Sequence, residues 1–177
     1  TCPGQAPEGQ LVKLIFGRLK TPIKYDPFME PKDVSGHKTL IIILGGSGKG
    51  LGTAGVDLKD EMKRAEGLVA EANKQKIKLV GIHSGGEDRR GEVSTKLIDL
   101  VAPKMSYLIV REDGNKDGLF TKLSSERKIP LTVVKAWREA NYPGVTGTTR
   151  RLLEHWQDPE ERPPLTKGAG PGRWPKQ

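Results

Sequence analysis

The sequence is poor in cysteine, in aromatic residues and in long apolar runs. Cys2 is the only cysteine among 177 residues, so no disulfide can form within the chain. Aromatic residues make up 5% of the chain, and the longest apolar run, Leu40–Leu44, is far shorter than the roughly 20 residues of a membrane-spanning helix. These absences exclude an internally disulfide-stapled scaffold and predict no membrane span.

Basic residues exceed acidic ones and give a formal net charge of +8, but the excess is spread along the chain. Nucleic-acid binding usually requires a concentrated basic face with aromatic side chains that stack on bases. The sequence shows neither pattern. We therefore expect a solvated basic surface and no nucleic-acid partner.

Four short apolar runs are rich in Ile, Val and Leu and are continuous rather than alternating, which indicates strands buried on both faces of a parallel sheet. The runs are Leu40–Leu44, Leu79–Ile82, Tyr107–Val110 and Leu131–Val134. Helical spacing of apolar residues fills the segments between them. This alternation predicts an α/β fold with three layers and a doubly wound, mostly parallel sheet of about five strands, Rossmann-like or flavodoxin-like.

Three predicted helices follow the first three strands. The first is marked by Leu58, Met62, Ala65, Val69 and Ala72, with Asp57 as its N-cap. The second is marked by Val93, Leu97, Leu100 and Val101 and stops at Pro103. The third is marked by Leu119, Phe120 and Leu123 and ends near Lys128.

The predicted α/β domain spans residues 36–137 and has an appendage on each side. Residues 1–35 predict a helix through Leu11, Leu14, Ile15 and Leu19 and a short strand at Ile23–Asp26, both packing on the core. Thr1–Gln5 would then follow a strand largely lost from the start, and the absence of an initial methionine indicates a removed leader or a fragment. Residues 138–177 predict a tail with one helix, Thr148–Gln157, and disorder beyond Pro163.

Three unusual loops leave the carboxyl ends of the first three strands, where open parallel sheets bind their ligands. The first loop has five glycines in the eight residues Gly45–Gly52 and runs on to Gly55. Its amides can approach an anion closely, and Lys49 can add a full charge. A tight turn that binds nothing is the alternative. The ligand candidates here are Gly46, Ser47, Lys49, Gly50 and Gly52.

The spacing of Gly46, Gly50 and Gly52 also matches the cofactor loop of short-chain dehydrogenases, which makes a dinucleotide-binding oxidoreductase an alternative. The Tyr-x-x-x-Lys pair of those enzymes is absent, because Tyr107 is followed four residues later by Arg111. The second strand ends without the acidic residue that usually binds the ribose. A P-loop is excluded because Lys49 is followed by glycine.

The second and third loops add polar candidates. Arg89 and Arg90 can bind a carboxylate or phosphate, and His83 lies where a general acid or base would lie; Ser84 and Gly86 complete this loop's ligand candidates. Asn115 and Asp117 are expected to cap the following helix and are further ligand candidates. The acidic residues near His83 fit no known metal-ligand spacing, so no metal site, cofactor or catalytic residue is assigned.

The loops together resemble a bacterial family of exported domains of unknown function. The resemblance rests on Ile43–Gly52, on Ala54–Asp57, on Gly85–Gly91 and on Glu112–Thr121, with Gly4–Pro7 similar to that family's opening loop. It implies export to the periplasm, the cell surface or the medium, and it implies no activity. Tyr142–Trp156, in the tail, is similar to a short stretch of restriction-type helicases but carries no motor motif.

Three functions follow from these observations. The first is an exported, non-enzymatic module that binds a small anion or other small ligand at the loops, and the second is the dinucleotide-binding oxidoreductase. The third is a protein-interaction domain of an oligomer or larger assembly.

Overall fold

The computed structural model describes residues 1–135, so the predicted tail helix and disordered end lie outside the described residues. The described part alternates strands with helices from residue 39 onward. Its helices are α1 (Glu8–Arg18), α2 (Gly48–Ala54), α3 (Leu58–Lys74), α4 (Glu92–Val101) and α5 (Leu119–Arg127), and its strands are β1 (Thr39–Ile43), β2 (Lys78–His83), β3 (Tyr107–Arg111) and β4 (Leu131–Val134).

The four strands form one parallel sheet in the order β1-β2-β3-β4. Leu40 is in register with Leu79, and Leu108 pairs with both Gly81 and Leu131. The predicted α/β class with a parallel sheet flanked by helices is confirmed. The order of the described strands follows the chain and does not reverse, which bears on where a ligand can bind.

The predicted strand at Ile23–Asp26 is wrong, and the described sheet has four strands rather than about five. Pro22 and Pro27 bracket the segment and lack the N–H group that a sheet ladder needs. The outer edge of β1 is instead contacted by Thr1. Its nitrogen donates to the carbonyl of Ile41 at 2.9 Å, and the Ile43 amide donates to the Thr1 carbonyl at 3.1 Å.

The main core lies between one face of the sheet and helices α3, α4 and α5. The sheet contributes side chains from β1 and the residue that follows it and from the next two strands, namely Leu40, Ile42, Leu44, Leu79 and Leu108. Side chains from all three helices join this cluster, including Leu68, Val69, Ile98, Val101 and Phe120. The alternate strand positions are also buried, as expected for a sheet covered on both faces; they include Ile43, Val80, Ile82 and Ile109.

The helix predictions succeed for α3 and fail in detail for α1. Asp57 caps α3 by accepting the Asp60 amide at 2.8 Å, as predicted. In α1 the buried residues are Gly9, Val12 and Phe16, whereas the predicted stripe is exposed or only half-buried, with 62% of Leu14 accessible. The buried side includes Gly9, which has no side chain and so leaves room for the Tyr25 ring.

A buried ion pair attaches the N-terminal segment to α3. Arg64 donates to both carboxylate oxygens of Glu61 at 2.8 Å and also to the carbonyls of Pro27 and Met29. Glu61 accepts the Gly4 amide at 2.8 Å as well. Burial alone would raise the pKa of Glu61, but the hydrogen bonds from Arg64 and Gly4 outweigh burial and lower it below its usual range.

We expect Glu61→Gln to lower the free energy of unfolding by about 3–5 kcal/mol, because it leaves the buried charge of the Arg64 guanidinium without a carboxylate to balance it. Urea denaturation measures this loss. The lowered pKa also means that Glu61 stabilises the fold fully above pH 4.5 and loses this contribution as the pH falls below 4.5. The variant should lack this part of the acid sensitivity.

Glu71→Gln is the matched control on the same helix. The half-buried Glu71 forms a surface pair with the exposed Lys74 at 3.7 Å, and surface pairs contribute about 0–1 kcal/mol. Equal losses for the two variants would contradict the role assigned to Glu61.

Candidate functional site

The three loops that follow β1, β2 and β3 meet at one edge of the sheet, called here the carboxyl edge. It comprises residues 45–55, 83–91 and 111–118. The loops contact one another through backbone groups: Arg90 donates to the Gly114 carbonyl at 2.5 Å, and the His83 ring lies 2.6 Å from the Leu44 carbonyl at the start of the first loop.

The first loop is shorter than its glycine content predicted. Residues from Gly48 onward form helix α2, with Ser47 as its N-cap accepting the Gly50 amide at 3.0 Å. Gly50 and Gly52 are therefore helical rather than parts of an open loop. Glycine disfavours helix by about 1 kcal/mol per residue, and tertiary contacts compensate for this cost here.

Two neighbouring segments fix the entry to α2. The Gly46 amide donates to the Ser94 hydroxyl of α4 at 2.9 Å, and this hydroxyl donates back to the Gly46 carbonyl at 3.0 Å. The Ser47 amide donates to the Gly4 carbonyl at 2.9 Å. Gly50 lies so close to the Gln5 carbonyl that no side chain fits between them. Gly46 and Gly50 thus serve close packing.

Lys49 is the predicted ligand residue of the first loop whose side chain is free to contact a ligand. Its side chain is exposed, and among residues 1–135 it has no carboxylate partner. The amides of Gly48 and Lys49 likewise donate to no acceptor within the described residues. These two amides and the lysine ammonium are available donors beside one another in the chain.

His83 and Ser84 are buried rather than presented to a ligand. His83 has no exposed surface, and its second ring nitrogen lies 3.1 Å from the Gly86 carbonyl. Burial lowers the pKa of His83, with the carbonyl contacts opposing this shift. The Ser84 hydroxyl is buried and has no partner among the described residues. Neither side chain reaches the surface where a reactant would bind.

The arginines of the second loop are paired with acidic residues. Arg89 lies 2.9 Å from the Glu8 carboxylate at the start of α1, and Arg90 lies 2.7 Å from Asp117 in the third loop. Two more pairs link cations of this edge to acids, Arg111 with Asp113 and Lys116 with Glu87. Lys49 is therefore the one lysine or arginine of the three described loops that is not already neutralised.

Asn115 and Asp117 cap α5, as predicted. The Asn115 side-chain oxygen accepts the Phe120 amide at 2.9 Å, and Asp117 accepts the Leu119 amide at 3.2 Å. Gly86 has a φ of +62° and lies against the Arg111 and Asp113 side chains. A larger residue at Gly86 would disturb that ion pair, so Gly86 has a packing role as well.

The sequence reasoning missed Ser94 and Glu61, which hold the first loop in place. Ser94 bonds to Gly46 directly, and Glu61 acts through Gly4, whose carbonyl accepts the Ser47 amide. A signal for both was present. Ser94 shares a helical stripe with Leu97, Ile98 and Val101, and Glu61 shares one with Ala65 and Leu68. A polar residue in an apolar stripe is expected to be buried with a specific partner.

Among residues 1–135 no group of three or more His, Cys, Asp or Glu side chains is placed to hold a metal ion. No helix of that part is long and apolar enough to cross a membrane.

The chain belongs to a family described as "Domain of unknown function (DUF6305)", whose model matches residues 1–144. No curated protein and no solved structure matches the chain.

We expect Gly50→Ala to lower the free energy of unfolding by about 1–3 kcal/mol, because the added methyl group overlaps the Gln5 carbonyl and displaces backbone. Gly52→Ala, two residues along the same helix, faces open space and should stabilise the protein by about 0.5–1 kcal/mol. Thermal and urea unfolding measure both. A Gly50→Ala protein as stable as the Gly52→Ala protein would contradict the close packing of Gln5 on α2.

Proposed function

We propose that this domain is a non-enzymatic module that binds a small anion at the turn from Gly46 to Lys49. The observation that carries the proposal is the unpaired charge of Lys49. Every other lysine or arginine in the three loops of the carboxyl edge has an acidic partner, whereas Lys49 has none among the described residues.

The backbone beside Lys49 supports the same proposal. The amides of Gly48 and Lys49 have no acceptor within residues 1–135, while those of Gly46 and Ser47 are held by Ser94 and Gly4. The turn is therefore preorganised, and an anion would not have to order it. Two amides and one ammonium favour a phosphate or a carboxylate.

The charges around the turn limit affinity. The three loops carry as many acidic as basic residues, so the carboxyl edge offers no broad positive field. Recruiting Arg89 or Arg90 would require each to leave its carboxylate. We therefore expect a small anion with a Kd of about 1 mM, which corresponds to roughly −4 kcal/mol.

A dinucleotide-binding oxidoreductase has less support. Dinucleotide sites lie where the strand order of an open sheet reverses, and the described strands follow one another without a reversal. Gln5 also lies against Gly50, where a cofactor loop needs free backbone. β2 ends in the buried His83 instead of an acidic residue.

A protein-interaction role is the second candidate, favoured by exposed apolar side chains. Leu11 and Leu14 lie on one exposed face of α1, and Phe28 lines an open groove of about 460 Å³ beside α3. Sedimentation velocity of the full chain tests self-association, the simplest such role. A sedimentation coefficient that corresponds to the monomer at every concentration would remove it.

The family resemblance leads us to propose export as well. Fractionation of the source cells with an antibody to this chain tests it, and a purely cytoplasmic signal would contradict it.

We expect Lys49→Ala to weaken phosphate binding about 5- to 150-fold, the loss of about 1–3 kcal/mol for a charge-assisted hydrogen bond. NMR titration with phosphate and with a dicarboxylate measures this. The melting temperature without ligand should barely change, because the Lys49 side chain is exposed.

Lys59→Ala is the control, since Lys59 is another exposed lysine, at the start of α3. It should bind phosphate as the unmodified protein does. If neither anion shifts the Gly48 and Lys49 amide resonances, or if both variants bind equally, the anion site is refuted and the interaction role takes precedence.

A further inference from the structure

The His83 imidazole is buried between the three loops of the carboxyl edge. Nδ1 lies 2.6 Å from the Leu44 carbonyl before the first loop, and Nε2 lies 3.1 Å from the Gly86 carbonyl in the second. Gly114 of the third loop packs against the ring edge, where a side chain would collide with it. The Phe120 ring of α5 lies 5.1 Å away between centroids.

Both ring nitrogens face a carbonyl oxygen, and this arrangement does not suit a neutral histidine. Neutral imidazole has one N–H donor and one acceptor nitrogen, whereas a carbonyl can only accept. The neutral ring can therefore satisfy one carbonyl and must turn a lone pair toward the other. The imidazolium form donates to both. The shorter distance to Leu44 assigns the neutral ring's proton to Nδ1, which leaves the Gly86 carbonyl without a donor from the ring.

We propose that His83 is a proton-operated latch, in which Nε2 takes up a proton at acidic pH and donates to the Gly86 carbonyl. The imidazolium then donates two hydrogen bonds, one to the Leu44 carbonyl after β1 and one to the Gly86 carbonyl of the second loop, whereas the neutral ring donates only the first. The device is independent of any ligand at Lys49.

The charged groups around the ring have opposing effects. Burial and the positive charge of Arg90 disfavour the imidazolium, while the two carbonyls and Asp113 favour it. Arg90 is itself paired with Asp117, and Asp113 with Arg111 from the end of β3. From α5 the ring meets Phe120, which carries no charge. The balance lowers the pKa of His83, so the latch operates below pH 6.5.

Global stability should change in the opposite direction from the local tightening. Because the pKa of His83 is lowered in the folded protein, the unfolded chain takes up this proton first. The contribution to stability is complete above pH 6.5 and declines as the pH falls below that value. Acid therefore reduces the stability of the whole domain while adding one hydrogen bond to its second loop.

NMR of the full chain tests the proposal through the ring and both carbonyls. At about pH 7.5, above the usual pKa of histidine, the ¹⁵N shifts of His83 should show the Nδ1–H tautomer. Below pH 6.5 the ring should become imidazolium, and the Gly86 carbonyl ¹³C resonance should move with the same midpoint while that of Leu44 moves little. His37→Gln and His155→Gln are controls that should leave this Gly86 titration unchanged.

His83→Asn keeps a donor for the Leu44 carbonyl but cannot be protonated, so its Gly86 resonance should not titrate in this range. If the variant does not fold, the titration of the unmodified protein decides alone. An Nε2–H tautomer in the neutral ring, a ring that stays neutral until the protein unfolds, or a Gly86 carbonyl that does not follow the ring would each overturn the latch.

Discussion

The buried pair of Glu61 and Arg64 is the interaction on which the carboxyl edge depends. It holds the amide of Gly4, and the Gly4 carbonyl in turn accepts the Ser47 amide at the start of α2. Arg64 also donates to the carbonyls of Pro27 and Met29, so a single side chain joins α3 to the N-terminal segment. A carboxylate of α3 therefore helps to hold the turn before Lys49, together with the Ser94 hydroxyl of α4. A buried pair stabilises only when its remaining hydrogen bonds are satisfied, and here the backbone supplies them.

Charge at this edge is used mainly to join loops. Arg90 reaches across to Asp117, and Arg89 reaches to Glu8 on α1, so each guanidinium connects segments that are distant in sequence. The hydrogen bond from Arg111 lowers the pKa of Asp113, and the hydrogen bond that Lys116 donates to Glu87 raises the pKa of Lys116. Such pairs contribute little stability when exposed, and two of them, Arg90 with Asp117 and Lys116 with Glu87, connect the second loop with the third. Most lysine and arginine side chains of this surface are already paired with carboxylates, so Lys49 is the cation that can bind an anion.

The sequence predicted the sheet well because each strand and helix is encoded by neighbouring residues. Continuous apolar runs located β1 to β4, and the spacing from Leu58 to Ala72 located α3. The partners of the candidate site residues were not predictable in this way. Arg90 and Asp117 are 27 residues apart, and Gly4 and Glu61 are 57 apart, so no local pattern connects them. α2 escaped prediction for a related reason, since its glycines oppose helix locally and are tolerated through the contacts that Gln5 and Ser94 make at its start.

The order of the strands explains why function at this edge must come from the loops themselves. A sheet whose order reverses opens a crevice between diverging loops, and a ligand can be enclosed there by the fold alone. The described sheet runs from β1 to β4 without a reversal, so neighbouring loops pack on one another in sequence. His83 fills the space among them and joins their backbones. A ligand can therefore contact only exposed groups of the turns, such as Lys49. The buried polar groups, His83, Ser94 and Glu61, hold those turns in place.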